Sequence, residues 1–390
     1  MISRSLQKSL EAELSEYSVV TIFGPRQSGK TTLVRSCHPD FGYVSIEDKE
    51  TREAAAADYK SFFANHPCPL IIDEVQRQPE IVAAVQTIVD SRRDECGQFI
   101  LTGSQQTQLA EAIDESLAGR TSILDLLPLS TAELKDEICG FSTDECLTRG
   151  FMPELYAKRM RAFNYYRNYF RTYVERDVRR LVNVKNLLQF ERFVTLLAGR
   201  VGQVVNFTSL ANETGVSVPT ASAWLSVLEA SFLVFRLPPY FSNIAKRVVK
   251  SPKVYFTDVG LAAYLLGIES PAHALAHPLR GSLFENMVVA DIRKGFTNSG
   301  REPRMAFYRT EKGFEIDVLI LVGGRVIPIE IKSSMTFGKN LVRNLEVYCE
   351  EDKTASSPLL IYDGDEMRDF GAHKVSARNW RDASSQIFES

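Results

Sequence analysis

Short β-branched runs alternate with longer helical patterns over the first 140 residues. Val19–Phe23, Tyr43–Ile46, Leu70–Ile72, Gln98–Leu101 and Ser122–Leu126 predict five strands. Apolar positions fall on both faces of these runs, and helical segments separate them. That combination predicts a parallel sheet covered by helices. From Arg149 to about Val205 the spacing turns helical and carries Tyr165, Tyr166, Tyr169, Phe170 and Tyr173. Residues 206–240 read as helix, tight turn, helix and an apolar run, Phe232–Phe235, closed by Pro238-Pro239. Strand patterns return at Met305–Tyr308, Ile316–Val322, Val326–Ile331 and Pro358–Tyr362, so the last third is mixed α/β. Neither an internal repeat nor a low-complexity linker interrupts the chain. Three parts are expected: residues 1–140, 141–275 and 276–390.

Composition narrows the class. A chain of 390 residues is long enough for two or three domains. Hydrophobic residues at 44% and charged residues at 24% exclude a disordered, collagen-like or coiled-coil chain. Apolar stretches such as Pro69-Leu70-Ile71-Ile72 are too short to span a bilayer, and the N-terminal stretch lacks a signal-peptide apolar region. Cys37, Cys68, Cys96, Cys139, Cys146 and Cys349 form no CxxC pair, so reduced thiols in a cytoplasmic protein without membrane contact are expected, and no zinc site. The net charge of −3 conceals a division. Residues 1–140 carry 13 basic and 22 acidic groups, residues 141–275 carry 17 and 10, and residues 276–390 carry 16 and 17. The basic middle suits a nucleic-acid surface; a solvated arginine face is the alternative.

The most specific chemistry lies after the first strand. Gly24-Pro25-Arg26-Gln27-Ser28-Gly29-Lys30-Thr31 fits G-x-x-x-x-G-K-[ST] without a mismatch, and a helical pattern follows from Thr32. In such a loop the glycines let backbone N–H groups curl around phosphates at a helix N-terminus. Lys30 would reach the β- and γ-phosphates, and the Thr31 hydroxyl would ligate Mg²⁺. Gly24–Thr32 are therefore expected to bind ATP. Leu70–Ile72 then ends in Asp73-Glu74, with Asp73 expected to hold Mg²⁺ and Glu74 to deprotonate the attacking water. The next strand ends Leu101-Thr102-Gly103-Ser104, where Thr102 or Ser104 would sense the γ-phosphate. Arg120, after Gly119, is a candidate finger on a neighbouring subunit's nucleotide, which would require a homo-oligomer; a surface arginine is the alternative.

These strings, with Asp73–Gln76, Leu117–Arg120, Leu127–Ser130, Tyr173–Val178, Trp224–Ser231 and Phe256–Leu261, resemble the prokaryotic AAA ATPases that carry a C-terminal DUF4143 domain. The resemblance covers nearly the whole chain and implies an ATPase without naming its client. At Arg149–Pro153 the chain has Arg in place of the family's first Gly, and Met152 is inserted.

In the basic middle, Phe207–Ala211, Gly215–Ser217 and Thr220–Ala230 form a helix-turn-helix or winged-helix pattern. Val218, Ala221, Trp224, Leu225 and Leu228 supply its apolar stripe, and Phe232–Phe235 a wing strand. No Lys or Arg lies between Asn206 and Phe235, so any DNA contact is expected to be non-specific, through phosphate-binding Lys246, Arg247, Lys250 and Lys253. Arg176, Arg179 and Arg180 would add to the same basic face.

Towards the C-terminus, Glu285 sits in a helical pattern, Asp317 in a strand, and Glu330-Ile331-Lys332 places an acid and a lysine on one strand face. A hairpin turning at Gly323-Gly324 would align Asp317 with Glu330. This set resembles the PD-(D/E)xK nucleases of restriction-endonuclease-like fold. The resemblance implies that Glu285, Asp317 and Glu330 gather a second divalent metal, Mg²⁺ or Mn²⁺, while Lys332 positions the water or steadies the phosphorus. The i,i+4 pair His273 and His277 lacks a metal context and reads as a surface feature. Three readings stay open. They are an ATPase whose hydrolysis drives or gates the winged-helix and nuclease-like parts, an ATP-regulated DNA nuclease, and a non-cutting nucleotide-dependent regulator that binds DNA or protein.

Overall fold

The computed structural model describes residues 2–104, 112–113, 115–172, 187–240, 251–383 and 387. Gln105 and the motif residues 173–178 lie outside them, as do the basic positions Arg176, Arg179, Arg180, Lys246, Arg247 and Lys250. The chain divides into two compact units. The first comprises Met1–Leu129, Ala230–Phe232 and Phe296–Arg301; the second comprises the remainder.

In the first unit, β1 (Val19–Phe23), β2 (Gly42–Ser45), β3 (Leu70–Asp73), β4 (Phe99–Gly103) and β5 (Thr121–Asp125) form a sheet in the order β2-β3-β4-β1-β5. Every pair in it is parallel. All five expected strands are present, each within two residues of its expected ends. The alternation of side chains along β1 explains its unbroken apolar run. Val20 and Ile22 pack beneath α1 (Gln7–Glu16) and α2 (Lys30–Cys37), together with Leu10, Leu14, Leu33 and Val34. Val19 and Phe23 face the opposite layer, which includes Val82, Val85 and Val89 of helix Ile81–Ser91. The C-terminal ends of β1, β3 and β4 are thereby held side by side.

In the second unit, helix Phe207–Thr214 is capped by Asn206, whose Oδ1 accepts the Ser209 N–H at 3.0 Å, and it ends at Gly215 in the left-handed region. Helix Val218–Ala230 follows and buries Ala221, Trp224, Leu225 and Leu228. Trp224 packs edge-on against Phe190 and Phe193, at 5.3 and 5.5 Å between ring centres. Val218, expected in that stripe, is instead exposed at the helix start. The chain continues into β6 (Val234–Leu237), which pairs antiparallel with β7 (Lys253–Phe256). Strands β8 (Met305–Arg309), β9 (Glu315–Val322), β10 (Arg325–Lys332), β11 (Leu359–Tyr362), β12 (Arg368–Phe370) and β13 (Val375–Asn379) form a mixed sheet in the order β12-β13-β11-β10-β9-β8. The β9–β10 turn is Gly323-Gly324, both with positive φ, as a two-residue hairpin of this hand requires. No helix of the described residues is long and apolar enough to cross a membrane. All six cysteines are free thiols.

A polar hub ties the sheet to the helical segment before it. Arg280 donates to Asp144 Oδ1 and Oδ2 at 2.7 and 3.0 Å and to Asp363 Oδ2 at 2.8 Å. Asp363 also accepts from the Thr143 hydroxyl, which accepts the Trp380 indole N–H at 3.0 Å. A further set centres on Asp258, which caps helix Val259–Leu265 and accepts the Phe151 N–H at 2.7 Å and the Tyr166 hydroxyl at 2.6 Å. Gly150 sits against both. Its φ is +66°, and a Cβ there would lie 2.1 Å from the Tyr166 hydroxyl.

Candidate functional site

The phosphate-type loop leaves β1 at Gly24 and enters α2 at Lys30. Gly24 is indispensable there, because a Cβ would stand 2.1 Å from the Leu126 carbonyl oxygen. Gly29 and Gln27 both take positive φ, which curls the loop. The Lys30 ammonium is buried and donates to the carbonyls of Gly24 and Pro25, each at 2.9 Å. Burial pushes its pKa down to about 8, against the pull of Glu74 and Asp73 and assisted by Arg26. Thr32 is exposed on the first turn of α2.

β3 delivers Asp73 beside this loop. Its Oδ2 accepts the Thr31 hydroxyl at 2.8 Å and the Tyr43 hydroxyl at 2.8 Å, and its Oδ1 accepts the Thr102 hydroxyl. Asp73 is thus fixed from the two neighbouring strands and α2. Burial first, then Asp73, raises the Tyr43 pKa to about 12, so this hydroxyl stays a donor at neutral pH. Glu74 adopts the left-handed conformation at φ 59°, which costs a non-glycine residue about 1 kcal/mol. Gln76 donates to Glu74 Oε2 and to Ser104 Oγ, the latter at 3.0 Å, and accepts the Ser104 N–H at 3.3 Å. Thr102 and Ser104, the candidate sensors, therefore lie against Asp73 and Glu74 respectively.

The loop, Lys30, Thr31, Asp73, Glu74 and Ser104 lie together at the C-terminal edge of the sheet. Their chemistry fits a magnesium nucleotide. The Ser28 hydroxyl is buried without a hydrogen-bond partner, and Thr31 and Asp73 offer adjacent oxygens. Sequence reasoning missed Tyr43, whose role depends on β2–β3 pairing. It also missed Arg4, which lies before α1. The buried Arg4 guanidinium donates to Ser28 O at 2.6 Å and to Leu127 O at 2.7 Å.

Arg120 is not part of this constellation. It precedes β5, and its carbonyl accepts the Val19 N–H, so it sits at the opposite end of the sheet from its own Gly24. Its guanidinium holds Asp90 with two bonds of 2.8 and 3.1 Å. Both line a polar cavity of about 390 Å³ with Glu16, Tyr17 and Arg93.

In the second unit, β9 and β10 bring Asp317, Glu330 and Lys332 together. The Lys332 ammonium lies 3.0 Å from Asp317 Oδ2 and 2.5 Å from Glu330 Oε2. Asp317 Oδ2 also accepts the Ile331 N–H at 2.8 Å, and Glu330 Oε1 accepts from Asn344 at 3.2 Å. Burial and then Asp317 push the Glu330 carboxyl up to about 9. For Asp317, burial works upward but Lys332, Glu330 and Lys253 outweigh it, and the pKa falls. Glu285, on helix Arg280–Asn298, is engaged separately. It accepts from Lys253 at 3.1 Å and from the Tyr255 hydroxyl at 2.6 Å, while Lys253 also meets Glu315 at 2.6 Å. Lys253 is 2% exposed and paired with two acids, so the expected phosphate contact there is corrected. Among the described residues no cluster of three acidic, His or Cys side chains forms a metal site. As they stand, Glu285, Asp317 and Glu330 do not form the expected three-acid cluster, and one oxygen of each meets a lysine ammonium. His273 and His277 face each other at 5.8 Å between ring centres.

Residues 16–135 match the family model of an AAA domain. Residues 280–380 match that of DUF4143, and residues 141–272 that of DUF8612, both domains of unknown function. Uncharacterized proteins of Mycobacterium tuberculosis and Mycobacterium bovis are each 29% identical over 336 residues, 85% of this chain and 74% of theirs. A Walker-type ATPase of Pyrococcus abyssi is 16% identical, with a TM-score of 0.42 over 68% of this chain and 96% of that one. Thermotoga maritima RuvB is 18% identical, with a TM-score of 0.32 over 60% and 89%. The chain thus matches an AAA domain model over residues 16–135 and a C-terminal DUF4143 model over residues 280–380.

Proposed function

We propose that this chain hydrolyses ATP with Mg²⁺ at the loop of residues 24–31. The observation that carries the reading is the convergence of Lys30, the Thr31–Asp73 pair and Glu74 at the ends of β1 and β3, which flank β4. Lys30 supplies positive charge to the phosphates, and the loop N–H groups bind their oxygens. Mg²⁺, when bound, would neutralise phosphate charge, and Thr31 and Asp73 would hold it. Glu74, oriented by Gln76 and Ser104, accepts the proton of the attacking water. Lys30→Ala is expected to abolish turnover with the fold intact, as read by circular dichroism. Undiminished phosphate release from that variant would reject the proposal.

For the rest of the chain, we favour a non-cutting, nucleotide-dependent module that binds DNA or protein over a nuclease. Support comes from the engagement of each proposed metal-binding acid with lysine. Support for DNA as client rests on the net charge of the middle segment, while the exposed start of helix Val218–Ala230 is cation-free. The expected result is salt-sensitive DNA affinity without products. Plasmid nicking with Mg²⁺ or Mn²⁺ that Asp317→Ala or Lys332→Ala removes would establish the nuclease reading instead. A finger role for Arg120 requires its release from Asp90 into a neighbouring subunit's site; a monomeric ATP-bound form would eliminate it.

A further inference from the structure

An arginine 9% exposed, bonded by two of its nitrogens to main-chain carbonyls, is a costly arrangement. Arg4 is placed this way. One acceptor is Ser28 O, inside the phosphate-type loop, and the other is Leu127 O, just beyond β5. Leu126, the residue before Leu127, donates its N–H to Phe23 O at 2.7 Å, so this acceptor is itself anchored to β1. Arg4 therefore clips the loop to the rim of the sheet. Its Nη1 also lies 3.6 Å from where a Gly29 Cβ would stand, so the guanidinium covers the loop's back at the Ser28–Gly29 peptide.

The peptide plane gives this clip a consequence. In a trans peptide the C=O and the following N–H point in opposite directions. A guanidinium that holds Ser28 C=O on one side turns the Gly29 N–H to the other. That N–H belongs to the run of donors that leads into α2, where phosphate oxygens are bound. Gly29 needs such help because its φ of +93° lies in a region where glycine moves freely.

We propose that Arg4 is a positioning residue for the phosphate groups of the nucleotide, acting by fixing the Ser28–Gly29 peptide. The inference rests on the ATP reading of the loop. It requires no contact between Arg4 and the nucleotide.

The test is calorimetric binding of ADP without Mg²⁺, with ATP turnover and thermal melting in parallel, on wild type, Arg4→Gln, Arg4→Lys and Leu6→Ala. Leu6 is a fully buried neighbour of the same segment, so its truncation loosens the segment and spares the guanidinium. Arg4→Gln is expected to weaken ADP binding by about ten- to a hundredfold, the worth of charged hydrogen bonds. Arg4→Lys should recover part of the loss, and guanidinium ion at millimolar concentration should rescue Arg4→Gln but not Leu6→Ala. Leu6→Ala should lower the melting temperature while its ADP affinity stays near wild type. Arg4→Gln binding within twofold of wild type would overturn the proposal. So would an equal ADP loss in Leu6→Ala, which would make Arg4 a stability residue alone. If wild type binds no ADP, the nucleotide reading falls and this inference falls with it.

Discussion

Arg280 joins two acids from distant parts of the second unit, and its loss should be felt there. The side chains of Arg280, Asp144 and Asp363 are 14%, 12% and 5% exposed. Arg280→Met keeps the apolar stem but removes four donor contacts, one of them to Ser333 O, and takes the guanidinium from between two carboxylates. Stranding buried charge in this way costs about 3–5 kcal/mol. For a unit of this size each kcal/mol lowers the midpoint by about 2–4 °C, so a fall of roughly 6–20 °C is expected. Trp380 supplies the readout, since its indole bonds Thr143, which bonds Asp363. Its fluorescence should shift to the red at the lower midpoint. Adding Asp144→Asn to Arg280→Met should restore part of the stability, because one stranded charge disappears. A loss under 1 kcal/mol, or no recovery in the double variant, would refute the idea that this hub couples helix Thr143–Arg149 to the sheet.

The remaining expectations concern titration. Burial lowers Lys30 to about 8, and phosphate binding should raise it, so ADP binding at pH 8.5 should take up a fraction of a proton. Calorimetry in buffers of different ionisation enthalpy should show that uptake in wild type and none in Lys30→Ala. Glu330 is raised from about 4.5 to about 9, so its stabilising contribution is full below the lower value and declines as pH rises through the higher one. Glu330→Gln should flatten the fall in stability between those limits in urea titrations; an unchanged slope would mean another group carries it.

What the sequence discloses and what it conceals follow from range. The strands of the first sheet and the Gly323-Gly324 turn are written in consecutive residues, as is the loop of residues 24–31. Local sterics and side-chain alternation decide them. Edge strand β12 is short and carries Arg368 and Asp369, so no apolar alternation marks it, and the alternation of β13 is confined to Val375 and Ala377. Arg4 carries no local signal, because Ser28 and Leu127 lie 24 and 123 residues away from it in the chain. Lys253 likewise reads as a phosphate contact, because neither Glu285 nor Glu315 is near it in the chain. Val218 departs from the stripe because it begins its helix, where the N-terminal turn projects past the packed face. The E-x-K spacing correctly places Glu330 and Lys332 on one face of β10. It is silent on what else the acids meet, and in the structure both pair with Lys332.

The most direct test of the account is phosphate release from ATP and Mg²⁺ by wild type and Glu74→Gln, measured alongside ATP binding. Glu74→Gln should bind ATP as wild type does and turn over about 10²- to 10⁴-fold more slowly, the range for a lost general base. Turnover equal to wild type in Glu74→Gln would contradict the assignment of hydrolysis to this site.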